Sequence, residues 1–104
     1  MREKKRYLVY RIDAEKRVDM RTAQEDIIAQ VQGLLGVFQS ASAGIQPIKY
    51  DKEKQRGILR VNHTAVDLIK SCFVMIHKVN NTTASVHTIG VSGILKKAKE
   101  NHFA

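Results

Sequence analysis

Hydrophobic and polar positions follow two rhythms along this chain, and the switches between them mark its elements. From Arg6 to Ile12 apolar side chains occupy both parities, with Tyr7 and Val9 on one and Leu8, Tyr10 and Ile12 on the other. A strand of this kind is covered on both faces, which predicts a central place in a sheet. Asp13 to Arg21 is a charged connection. Thr22 and Glu25 then have the spacing of a capping box. Ile27, Ile28, Val31, Leu34, Leu35 and Phe38 recur at helical spacing and predict a first helix. Gly33 and Gly36 weaken it near its end, and close helix–sheet packing explains them. Ser40 to Gly44 reads as a small-residue loop and Ile45 to Tyr50 as a second strand. Pro47 has no ladder donor, which places that strand at an edge. Asp51 to Gln55 is a charged hairpin tip. Arg56 to Asn62 is the third strand, with Gly57 as a bulge position.

Helical spacing returns after Thr64, which pairs with Asp67 as a helix start. Val66, Ile69, Phe73 and Ile76 form one apolar stripe, widened by Leu68, Cys72 and Met75. Asn80 to Thr83 is a polar turn, Ser85 to Ile89 a fourth strand, and Gly93 to about Asn101 a third helix. The pattern predicts an α+β protein: a single ferredoxin-like (RRM-like) split β-α-β-β-α-β sandwich with a C-terminal helix, one domain over residues 1–104. In that topology the two main helices cover one sheet face, yet the first strand is apolar on both. Tyr7, Leu8, Val9 and Tyr10 are therefore expected to supply a protein interface. The other reading is that the terminal helix folds over the open face.

With 104 residues and 43% apolar side chains, the chain can bury one core. Its formal charge of +8 makes a polyanion the default partner. A membrane surface fits less well, because no basic amphipathic helix with aromatic anchors is present. No apolar run approaches the roughly 18 residues of a membrane span. Met1 to Arg6 is charged and precedes a short apolar run, unlike a signal peptide. A single cysteine, Cys72, leaves no internal disulfide framework and suits a reducing compartment.

The anion site is expected in Thr88-Ile89-Gly90-Val91-Ser92-Gly93-Ile94-Leu95-Lys96-Lys97. Here Gly90 would turn the chain and Ser92 would cap the third helix. Gly93 would leave that helix start bare beside Lys96, Lys97 and Lys99. The same residues also read as an ordinary capped surface helix with solvated lysines. Lys4, Lys5, Arg6 and Arg60 are further backbone-binding candidates. Base stacking is not expected. Arg56, Gly57 and Val61 match the third-strand signature of RNA-recognition motifs, but Ile58 and Arg60 replace its aromatic residues.

No catalytic or metal constellation emerges. His63, His77, His87 and His102 are scattered without ligand spacing. Ser92 lies in no nucleophile elbow, and Cys72 falls within an apolar stripe, where an inert thiol is expected. The loop carboxylates stand among basic neighbours and read as charge balance. No phosphate-cradling loop with an arginine follows the first strand, as an acylphosphatase-like enzyme would need.

Three stretches resemble the archaeal and eukaryotic ribonuclease P protein component 2 family (Pop-five/Rpp-fourteen type). Lys4-Lys5-Arg6-Tyr7-Leu8-Val9 resembles its opening basic-then-strand segment. Gly57-Ile58-Leu59-Arg60-Val61, with Ala65-Val66-Asp67 after it, resembles its middle strand and helix. Thr88-Ile89-Gly90-Val91-Ser92-Gly93 with Leu95-Lys96-Lys97 resembles its GVSGT motif, which continues with an aliphatic and two basic residues. Ile94 stands where that motif has threonine. The resemblance implies a noncatalytic protein subunit of ribonuclease P, the ribonucleoprotein endonuclease that removes the 5′ leader of precursor tRNA. It also implies ribonuclease P RNA and a TIM-barrel-like protein subunit as partners, with precursor tRNA met indirectly. A second copy of the chain is a further candidate partner. The chain itself would bind no cofactor, the Mg2+ belonging to the catalytic RNA. The place of action would be the cytoplasm for an archaeal protein, the nucleus for a eukaryotic one. The competing reading is a basic ferredoxin-like protein-interaction or ligand-sensing module with no RNA role.

Overall fold

The computed structural model describes residues 4–100. The elements run β1 (Lys5–Ala14), α1 (Met20–Ala43), β2 (Gln46–Asp51), β3 (Arg56–Asn62), α2 (Val66–Val74), β4 (Lys78–Val79), β5 (Thr82–Ser92) and α3 (Leu95–Ala98). The strands form one antiparallel sheet in the order β2-β3-β1-β5-β4. This is the split α+β sandwich that the pattern predicts, with β4 added as a short partner of β5. Pro47 lies on the edge strand β2.

β1 is central, as its two apolar parities require. Leu8, Tyr10 and Ile12 pack with Leu59, Val61 and Val86 beneath Ile27, Val31, Ile69 and Phe73 of α1 and α2. Val9 and Ile58 point to the opposite face, where Ala98 and Leu95 of α3 pack over them beside Tyr7 and Ile89. The terminal helix therefore folds onto the second face. Leu8, Val9 and Tyr10 are completely buried within the chain, so they offer no surface to a partner. The interface expected there is reduced to half-buried Tyr7. Withdrawing Val9 and Ile58 from water contributes about 1.5–3 kcal/mol each, which holds so short a helix in place.

Several boundaries differ from the expected ones. α1 starts at Met20 with Asp19 as N-cap, so Thr22 lies inside it and forms no capping box. The Thr22 hydroxyl instead donates to the Asp19 carbonyl at 3.2 Å and to its carboxylate at 3.1 Å. α1 also continues through the expected Ser40–Gly44 loop, until Gly44 ends it in the left-handed conformation at φ 58°, ψ 43°. Gly36 breaks it at φ 80°, ψ 177°, and the change of phase turns Val37 and Phe38 out to 83% and 89% exposure. The close packing expected at Gly33 and Gly36 does not occur, since a Cβ at either position would meet nothing within 4 Å.

Gly57 is no bulge. The β1–β3 register runs unbroken through the Tyr10–Gly57 pair, and the Tyr10 side chain lies over the glycine, 2.3 Å from where a Cβ would stand. A 3-10 turn at His63–Ala65 precedes α2, with no side-chain cap from Thr64. Leu68 and Met75 of the expected stripe are exposed, while Val66, Ile69, Cys72, Phe73 and Ile76 are buried. Asn80 and Asn81 both have positive φ and join β4 to β5 as a two-residue turn of the mirror-image type. The Asn80 backbone N–H donates to the Asp26 carboxylate at 3.0 Å, tying that turn to α1. Gly90 makes no turn. β5 continues through it to Ser92, with Gly90 opposite Val9.

Candidate nucleic-acid interface

The packing of Val9 and Ile58 under α3 fixes which side chains share the second face. Strand alternation puts Lys5, Tyr7 and Arg11 of β1 on that face with Val9, and Arg56 and Arg60 of β3 with Ile58. The register sets Tyr7 opposite Arg60, Val9 opposite Ile58 and Arg11 opposite Arg56. On the other flank of β1, Tyr7 is opposite Ser92. The face is thus apolar in the middle, where α3 sits, and basic toward both ends.

At one end, residues far apart in sequence meet. Arg60, Tyr7 and Ser92 form a row across three strands. The Arg6 guanidinium donates to the Lys5 carbonyl at 3.0 Å and passes Gly93 closely, 3.6 Å from where a Cβ would stand. The Lys5 ammonium donates to the Asn62 side chain, and Arg60 donates to Gln46 at 2.5 Å. Lys4 continues the cluster at the surface. On α3, Leu95 and Ala98 point into the sheet, while Lys96 and Lys97 are exposed and Lys99 is half-buried.

The bare helix start expected at Gly93 is not formed. α3 begins only at Leu95, with Ile94 as its N-cap. The Ser92 hydroxyl accepts the Ile94 N–H at 3.1 Å and donates to the Ile94 carbonyl at 3.0 Å, so it closes a tight turn ahead of the helix. Anion binding here rests on side-chain charge.

At the other end, sequence reasoning did not single out Arg11 and Arg56. Like charges directly opposite each other are unfavourable. Asp13 offsets this by gripping Arg11 with two bonds of 3.1 Å, and Asp51 stands opposite Arg56 on β2. The parity shared by Tyr7, Val9 and Arg11 was the available signal, but pairing Arg11 with Arg56 needed the register.

One arrangement invites a catalytic reading. Ser85 Oγ lies 2.9 Å from His87 Nε2 and Asp13 Oδ2 lies 3.2 Å from the same nitrogen. A proton relay needs serine and carboxylate on opposite ring nitrogens, so this is a polar cluster and not a nucleophilic triad. Burial pushes the Cys72 thiol pKa up, away from the reactive thiolate. Among the described residues, no group of three or more His, Cys, Asp or Glu side chains is placed to hold a metal ion, and no helix is long and apolar enough to cross a membrane.

Comparison with known proteins bears on the family and the fold. A family model described as the Rpp14/Pop5 family matches residues 6–103. Ribonuclease P protein component 2 of Thermococcus gammatolerans is 30% identical over all of this chain and 87% of its own length. The protein of that name from Archaeoglobus fulgidus is 31% identical over 98% of this chain and 91% of its own length. Among solved structures, a chain in the cryo-EM structure of yeast ribonuclease MRP shares the fold, with a TM-score of 0.65 at 14% identity, over 89% of this chain and 76% of that one. With a family model spanning nearly its whole length and full-length archaeal relatives, this chain belongs to the Rpp14/Pop5 family.

Proposed function

We infer that this chain is a noncatalytic protein subunit of ribonuclease P, which assists the RNA that cleaves the 5′ leader from precursor tRNA. Family membership and the archaeal relatives support the enzyme assignment. The observation that carries the RNA role is the meeting of Lys5, Arg6 and Arg60 with Ser92–Gly93 at one end of the sheet. Cations so arranged bind phosphates and fix position without reading bases. Val9 and Ile58 lie under α3 in the middle of the face with Tyr7 beside them, and among the described residues no row of aromatic side chains is present there for base stacking. Magnesium and the cleavage chemistry reside on the RNA in this reading. The protein partner is the TIM-barrel-like subunit that the family resemblance implies. Archaeal relatives support an archaeal cytoplasm as the place of action.

Reconstitution tests the proposal. Ribonuclease P RNA is assayed for precursor-tRNA cleavage with and without this chain and the TIM-barrel-like subunit. The pair should raise cleavage at limiting magnesium, and the chain without RNA should cleave nothing. Cleavage by the RNA-free protein that survives Ser85→Ala and Ser92→Ala would overturn the noncatalytic role. No effect on the RNA at any magnesium concentration, together with no salt-dependent RNA binding, would favour an interaction module with no RNA role.

A further inference from the structure

β5 has two unequal sides. Toward β1 it is paired from Ala84 to Ser92. Toward β4 only Thr82 and Thr83 are paired, and the Ala84 N–H adds one bond of 2.9 Å to the His77 carbonyl. Beyond Ala84, no described strand covers that side. Main-chain groups alternate sides along an antiparallel strand, so Val86 and Thr88 direct their N–H and C=O groups outward as Ala84 does. The register shift at Val9/Tyr10 ends this regular stretch.

From Ala84 to Thr88 this edge lacks the usual guards, and a bulge at Ile89 ends the stretch. Exposed edges are normally blunted by charged residues, proline or bulges. From Thr82 to Ile94 the chain has no Lys, Arg, Asp, Glu or Pro. The opposite edge, β2, has Pro47, Lys49 and a bulge between them. One edge of the sheet is closed to pairing and the other is open.

A groove of about 500 Å³ runs along the open edge between α2 and β5, with Phe73 and Val74 on one wall and Val86 on the other. Among the described residues that line it, Lys70 carries the only full charge and none is a carboxylate. Val74 is 78% exposed and Met75 62%, apolar surface that the described chain leaves open.

We propose that this edge binds an extended acidic segment of a partner polypeptide, which adds to β5 as a strand in line with β4. Its main chain pairs with Val86 and Thr88, an apolar side chain lies against Val74, and a carboxylate meets Lys70. Charge selects this occupant. A second copy would bring another +8 molecule and another Lys70 to the groove. RNA would find one lysine among apolar walls, whereas the basic face lies on the other side of the sheet. The groove's lining ends at Val91, beside the Ser92–Gly93 stretch of the RNA contacts inferred above, and Val86 and Thr88 are not among those contacts.

The test is selection of peptides from a random phage-displayed library against the folded chain. Enriched peptides should alternate β-branched and other residues, carry Glu or Asp, and shift the backbone amide resonances of Val86 and Thr88. N-methylation of one paired peptide amide should weaken binding about tenfold, the effect of losing one main-chain hydrogen bond. Lys70→Glu, an exposed change that leaves the fold intact, should turn the selection from acidic to basic peptides. Thr88→Pro removes an outward N–H and should abolish binding. Should that variant not fold, Lys70→Glu and the N-methylated peptides still decide. The proposal is overturned if no sequence is enriched, if the resonance shifts map elsewhere, or if N-methylated peptides bind equally well. It is also overturned if the chain self-associates through this edge in sedimentation experiments, which would make a second copy the occupant.

Discussion

Tyr10 and Gly57 show how tightly two residues define each other. The tyrosine hydroxyl is buried with no well-formed hydrogen bond, Gln24 being a nearby polar side chain, and it is the atom nearest to any Cβ added at Gly57. Gly57→Ala should destabilise the protein by about 1–3 kcal/mol through overpacking. Thermal unfolding would register roughly 4–8 °C for each kcal/mol. Tyr10→Phe removes the clashing atom and an unsatisfied polar group, so it should be near neutral alone and should recover part of the Gly57→Ala loss. A double variant as unstable as Gly57→Ala would refute the contact. Burial pushes the Tyr10 pKa well above the ordinary value, with the nearby Gln24 working weakly the other way. The folded state therefore keeps a proton that the unfolded chain releases above about pH 10. The stability from this group is complete below that pH and is lost as pH rises beyond it. In denaturant titrations on either side of pH 10, Tyr10→Phe should flatten the decline.

Two glycines in one helix should answer the same substitution with opposite signs. Gly33 has helical geometry and open space around it, so Gly33→Ala should stabilise by about 0.5–1 kcal/mol. Gly36 has a conformation that is essentially restricted to glycine, and Gly36→Ala should cost about 1–3 kcal/mol. Chemical denaturation of both variants checks this, and equal effects would mean that α1 does not break at Gly36. α3 makes a separate prediction. Ala98 is fully buried against Val9 and Ile58, and a charge there has no partner. Ala98→Glu should lift α3 from the sheet, raising hydrophobic-dye binding while far-ultraviolet circular dichroism changes little. Dye binding equal to that of the parent would show that α3 is not the cover.

At the scale of the molecule, the face that α3 crosses carries Lys5, Arg11, Arg56 and Arg60 around an apolar centre. Lys96 and Lys97 stand exposed on the outer side of α3, so Lys96→Ala with Lys97→Ala should leave the melting temperature unchanged. In RNA binding, each lost phosphate contact should lower the log–log salt slope by about one, for all RNA sequences alike. Reconstituted ribonuclease P should lose activity at limiting magnesium. A folded double variant with the parent slope would exclude Lys96 and Lys97 and leave the phosphate contacts to Lys5, Arg6 and Arg60.

Local periodicity was enough to order the elements. The mixed parity of Tyr7 to Ile12 placed β1 at the centre, Pro47 placed β2 at an edge, and the spacing of Ile27, Val31 and Leu35 marked the core face of α1, because each signal lies within one segment. The GVSG run was expected to turn at Gly90 and open a bare helix start at Gly93, and the chain does neither. Whether Gly90 turns or extends is decided by pairing with β1, and that pairing used the residues that were to have opened a helix. Register brought Arg60, Tyr7 and Ser92 into one row and set Arg11 against Arg56, neither of which any single segment encodes. The burial of Val9 depended on α3 crossing the sheet, and the open edge of β5 on β4 stopping after two residues. Such features arise from contacts between segments distant in sequence, whose energies appear only once the chain has closed on itself.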